Sequence, residues 1–153
     1  MQTIIRKATL ATILAAAFIV AACATQGTTT TQGTTTMPAG EKITLEGRNE
    51  VPAVNTTAVG SANVEIHADR SVKVKVIVSG ITPTAAHIHE GAVGANGPVV
   101  VPLNKLGDSE FIAADGAKLT DAQYAAYKAG NLYVNVHSAK HPSGEIRGQL
   151  IGR

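Results

Sequence analysis

The chain has 153 residues, with 13 Lys+Arg against 11 Asp+Glu, one Cys, no Trp, three Tyr and two Phe. That length suits one domain. A lone Cys excludes an internal disulfide framework, and a net charge of +2 is too small for a nucleic-acid-binding surface.

Arg6 and Lys7 are the only charges before Glu41, and they precede a run from Ala8 to Ala22 broken only by Thr9 and Thr12. A short basic stretch followed by an apolar one of this length predicts a secretory signal peptide over residues 1–22. The run is short for an uncleaved span of about 20 residues. It ends in Val20-Ala21-Ala22-Cys23, which resembles the lipobox of bacterial lipoproteins. That resemblance implies cleavage before Cys23, lipid on its thiol and an exported chain anchored to a membrane of the cell envelope. Ala24 after the Cys, in place of Asp, favours the outer membrane if the envelope is Gram-negative. Taking Arg6 and Lys7 from the 13 Lys+Arg leaves 11 against 11 Asp+Glu, so the apparent basicity belongs to targeting.

Residues 23–40 carry no charge and hold the near repeat Gln26-Gly27-Thr28-Thr29-Thr30 and Gln32-Gly33-Thr34-Thr35-Thr36. A segment with so little to bury cannot offset its ordering entropy, so it is read as a tether.

Residues 41–153 carry mostly period-two signals. Ala62, Val64 and Ile66 face one way. After a turn at Asp69-Arg70-Ser71, Val72, Val74, Val76 and Val78 do the same, with Lys73 and Lys75 opposite. This predicts a hairpin with one wet side. A strand follows through Ala86-His87-Ile88-His89. A loop spans Gly91 to Pro98, its glycines expected to serve left-handed turns. Val99 to Leu103 reads as a strand covered on both faces. Leu119 to Gly130 predicts a short helix, with Thr120 and Gln123 forming a capping box and Gly130 at the left-handed end. Leu132, Val134 and Val136 alternate with Tyr133, Asn135 and His137. A turn at His141–Gly144 then leads to a last strand with Ile146 and Leu150 inward. Seven or so strands with one helix in a crossover imply an all-β fold, a β-sandwich or Greek-key barrel.

Four ordered blocks carry a resemblance. They are Leu45-Glu46-Gly47-Arg48-Asn49-Glu50-Val51-Pro52; Ala86-His87-Ile88-His89-Glu90-Gly91 with Asn96-Gly97-Pro98-Val99-Val100; Leu119-Thr120-Asp121-Ala122-Gln123 with Ala129-Gly130-Asn131-Leu132-Tyr133-Val134-Asn135-Val136-His137-Ser138; and Pro142-Ser143-Gly144-Glu145-Ile146-Arg147-Gly148-Gln149-Leu150. Together they resemble the CHRD domain family, first named from chordin and common in bacterial secreted proteins. The resemblance implies a β-rich extracellular module without a settled activity.

All five His lie in this region. His87 and His89 share one face of a strand, about 6–7 Å apart at the backbone, a spacing at which two imidazoles can meet one ion. With His137 they form a candidate Cu or Zn site. The His-x-His strand also resembles the first copper pair of Cu/Zn superoxide dismutases, but no zinc-ligand loop or disulfide accompanies it, so dismutase-like redox activity is a remote expectation. The competing reading is structural, with the imidazoles tying the glycine loop to the Asn135–His137 strand. His67 reads as a surface residue, and His141 as a turn residue able at most to add a fourth ligand. Glu50, Glu145 and Arg147 read as a structural polar set, Arg147 pairing with Glu50 or Glu145 to dock the N-terminal segment; a metal-linked Glu is the alternative. No nucleophile or phosphate-loop motif is present. The expectation is a lipid-anchored, non-catalytic module that binds an unknown protein or envelope partner, with metal binding as the alternative.

Overall fold

The computed structural model describes residues 40–153; the expected signal peptide, Cys23 and residues 24–39 of the expected tether lie outside the described residues. Eight strands and one helix follow in order: β1 Glu41–Glu46, β2 Val59–Ile66, β3 Val72–Ser79, β4 Pro83–Glu90, β5 Val99–Gly107, β6 Glu110–Ala113, α1 Asp121–Lys128, β7 Leu132–Ser138 and β8 Ile146–Gln149. A 3₁₀ turn, Gly47–Asn49, follows β1.

The strands close into a barrel in the order β1-β2-β3-β6-β5-β4-β7-β8, with every neighbouring pair antiparallel. Strands β4, β5 and β6 form a meander, and β6 returns beside β3, which is a Greek-key arrangement. Closure removes the free sheet edges a sandwich would keep.

Period-two patterning fixes the register of the wall. Val72, Val74, Val76 and Val78 point inward, and Lys73 and Lys75 outward. Ala62 and Val64 meet Val76 and Val74 across the β2–β3 hairpin. The helix starts as the sequence predicts. Gln123 N–H donates to Thr120 Oγ1 at 3.2 Å, and Thr120 N–H donates to Gln123 Oε1 at 2.8 Å. It stops at Gly130, whose φ of +73° disfavours a side chain. Tyr127 of α1 joins the core, with Tyr124 and Ala126 packed against it. None of the described helices is long and apolar enough to cross a membrane.

Two expectations need correction. Strand β5 is covered on one face only: Val101 and Leu103 are buried while Pro102 and Asn104, which alternate with them, are exposed. Strand β6, missing from the prediction, supplies Phe111 and Ala113 to the core. Beyond the alternation read from the sequence, the outward-facing Tyr133 and Asn135 of β7 are also buried, at 2% and 1% exposure. Two segments lie over them, the chain from Gly47 to Thr57 and the loop from Gly91 to Pro98.

Candidate metal centre

Ala86 and Ile88 point into the barrel and are fully buried, so His87 and His89 between them must face outward. Strand β7 lies beside β4 with Ala85 opposite His137, His87 opposite Asn135 and His89 opposite Tyr133. This register makes His87 and His137 diagonal neighbours on one face. Their rings meet, with His87 Nδ1 2.9 Å from His137 Nε2. One nitrogen from each of His87, His89 and His137 lies within 4.8 Å of the others, and among the described residues this is the group of side chains placed to hold a metal ion.

The hydrogen bonds decide which nitrogens are bare. His89 Nδ1 lies 2.9 Å from the Gly97 carbonyl, and His137 Nδ1 lies 3.0 Å from the Pro142 carbonyl. A carbonyl only accepts, so both Nδ1 atoms carry the proton and both Nε2 atoms are left with a lone pair. His137 Nε2 accepts from His87 Nδ1–H. His89 Nε2 is buried and has no partner. Burial pushes all three imidazoles below the ordinary histidine range; His87 falls to about 4, with His137 and His89 adding to the effect. All three are therefore neutral at pH 7. Neutral imidazoles whose far N–H is fixed by a carbonyl are suited to Cu or Zn. His87 could join them once its Nδ1 proton moves to its other nitrogen.

The covering segments hold these rings in place. Tyr133 stacks on His89 at 5.0 Å between centroids and 10° between planes, and its hydroxyl accepts from Gly97 N–H at 3.1 Å. The Arg147 guanidinium lies 4.0 Å over the other part of this stack, the Tyr133 ring. Arg147 also donates to Glu50 Oε2 from Nε at 3.2 Å and Nη2 at 3.0 Å, and to the Ala95 carbonyl at 2.9 Å. Asn135 donates to Glu50 Oε1 at 2.6 Å, and Asn96 donates to the Val51 carbonyl at 2.8 Å. Burial raises the Glu50 carboxyl above its ordinary range, while Arg147 and Asn135 pull it back.

Of the three loop glycines, only Gly94 is left-handed, at φ +80°. Gly97 serves close approach instead: a Cβ there would stand 1.6 Å from the Glu90 carbonyl oxygen. Arg147 pairs with Glu50 and not with Glu145. Glu145 is held apart by the Thr56 and Ser138 hydroxyls, whose hydrogen bonds outweigh burial and keep its carboxyl below the ordinary range. No Glu joins the three imidazoles. His141 does not join them either; its Nε2 is buried in the Ser138–Glu145 turn without a partner. His67, expected at the surface, is half-buried 3.7 Å from Glu65.

The family model for the CHRD domain matches residues 42–150. The chain belongs to the CHRD domain family. No curated protein and no solved structure matches it. The CHRD match spans all eight strands apart from Glu41 at the start of β1, so barrel and histidine cluster lie within one module.

Two predictions follow from the geometry. Arg147→Leu leaves Glu50 buried without its cation and should cost about 3–5 kcal/mol in urea unfolding. The Arg147→Leu/Glu50→Gln double variant should recover part of that loss; equal loss in both would show that the pair is not the source. The second prediction concerns pH. The folded pKa of His87 lies below the unfolded value of 6.5, so the unfolded chain binds more protons between them. Metal-free protein should lose stability as pH falls from 6.5 towards 4, and His87→Asn should flatten the decline between pH 6.5 and 5, above the range of ordinary carboxylates. Glu50 works in the opposite sense, since a raised carboxyl loses stabilisation as pH rises through it. A profile unchanged by His87→Asn would count against the buried neutral imidazole.

Proposed function

We propose that this CHRD domain is a non-catalytic module, tethered by lipid to a membrane of the cell envelope, that holds one Cu or Zn ion through His87, His89 and His137. One observation carries the metal reading: His89 Nε2 is buried, bare and unpartnered while its Nδ1–H is fixed on the Gly97 carbonyl. A buried polar nitrogen without a partner is costly, and a ligand that accepts its lone pair removes that cost. His137 is fixed the same way, with its Nε2 turned to His87. An export compartment gives access to either metal, and three neutral ligands suit both.

A second reading rests on the His87–His137 hydrogen bond. In it the imidazoles complete a polar network that stiffens the covering loops, and the module binds a protein or envelope partner without metal. Loading separates the two. Full-length protein exposed to Cu or Zn, then dialysed at neutral pH, should retain about one ion per chain. His89→Ala and His87→Ala should each lose it while keeping the barrel's circular dichroism. No retained ion in the folded wild type would falsify the metal reading and leave the second.

The anchor rests on Arg6-Lys7, the apolar run Ala8–Ala22 and Cys23. Lipid on Cys23 with two or three acyl chains gives firm attachment where one does not. Cys23→Ala should move the protein from the membrane pellet to the soluble fraction. Retention in the pellet would contradict a lipid anchor.

A further inference from the structure

A second site lies apart from the histidine cluster, where β1 begins, β2 ends and α1 packs. A cleft of about 380 Å³ is walled by Glu41, Glu65, His67, Tyr124, Tyr127 and Arg153 among others. Glu41 is 5% exposed. Its Oε1 accepts from Ile151 N–H at 2.5 Å, and its Oε2 is buried with no donor among the described residues. Leaving a buried carboxylate oxygen unpaired costs more than a neutral group would, so the oxygen calls for a donor, preferably a charged one. The Tyr124 and Tyr127 rings stand 6.2 Å apart at 40° on the helix side of the same cleft. Aromatic faces beside a carboxylate form a setting that attracts cations. Glu65 adds a second carboxylate to the lining, paired to His67 at 3.7 Å.

We propose that this cleft binds an alkyl primary ammonium group, with Glu41 Oε2 accepting from its N–H and the two tyrosines flanking its chain. Glu41 and Glu65 outnumber Arg153 on the cleft wall, which disfavours an anion. Glu41, Glu65 and His67 do not converge closely enough to hold a metal ion among the described residues. A quaternary ammonium has no N–H to give Oε2, which singles out the primary amine. The chemistry is shared by free diamines and by lysine side chains of a peptide. The site goes beyond the metal reading and stands or falls without it.

The test uses ¹⁵N-labelled full-length protein. Titration with 1,4-diaminobutane, and separately with Nα-acetyl-lysine methylamide, should shift the amides of Glu41, Glu65, His67, Tyr124 and Tyr127 saturably. Saturation by the diamine alone assigns a free amine, and saturation by both assigns a lysine-type ligand. Glu41→Gln should weaken binding about tenfold or more. Tyr124→Ala, on a half-buried side chain, should weaken it severalfold and serves as the check if Glu41→Gln does not fold. Three results would overturn the proposal: no saturable shift with either amine, equal binding of tetramethylammonium, or binding seen only in Arg153→Ala, which would make Arg153 the cleft's own cation.

Discussion

The Glu50–Arg147 pair is the contact on which the outer face of this barrel depends. Both side chains are buried, at 6% and 4% exposure, on the outside of a β wall where solvent would normally stand. Two charges can sit there only because each has several hydrogen-bond partners. Arg147 spends its donors on Glu50, Ala95 and Asn96, and Glu50 takes a further donor from Asn135. Such a pair adds little net stability over an apolar substitute, but losing one partner is expensive. Its effect here is positional. It fastens the Gly47–Thr57 chain and the Gly91–Pro98 loop onto β7 and β8 at once.

The geometry of the histidines follows from that fastening. The Gly91–Pro98 loop brings the Gly97 carbonyl to His89 Nδ1, and the Tyr133 ring, with Arg147 above it, stacks on His89. The turn after β7 brings the Pro142 carbonyl to His137 Nδ1. Each loop therefore fixes a tautomer as well as a ring position. Burial then keeps the rings neutral. Barrel register supplies nearness, loops supply proton placement, and a buried ion pair holds the loops.

Much of this was legible in the sequence, and what was not has physical reasons. Alternating valines revealed the β2–β3 hairpin, and the Thr120–Gln123 spacing revealed the start of the helix. The four blocks revealed the family, and the His-x-His spacing revealed two of the three clustered rings. Strand β6 escaped because four residues, Glu110–Ala113, are too few to show a period. Strand β5 was over-read because an apolar run does not say which side of it is covered. The burial of Tyr133 and Asn135 was invisible because alternation equates polar with wet. Glu50 covers Asn135 from 85 residues away and pairs with Arg147 from 97, and no local spacing records such contacts. The same distance hid which of the two glutamates Arg147 takes.

The central claim is that the covering loops leave the Nε2 atoms of His89 and His137 unprotonated and converging. Long-range ¹H–¹⁵N NMR of the histidine rings in metal-free, full-length protein at neutral pH tests it directly. The account predicts that His89 and His137 are both neutral with the proton on Nδ1 and an unprotonated Nε2. Protons on Nε2, or imidazolium rings at that pH, would contradict it.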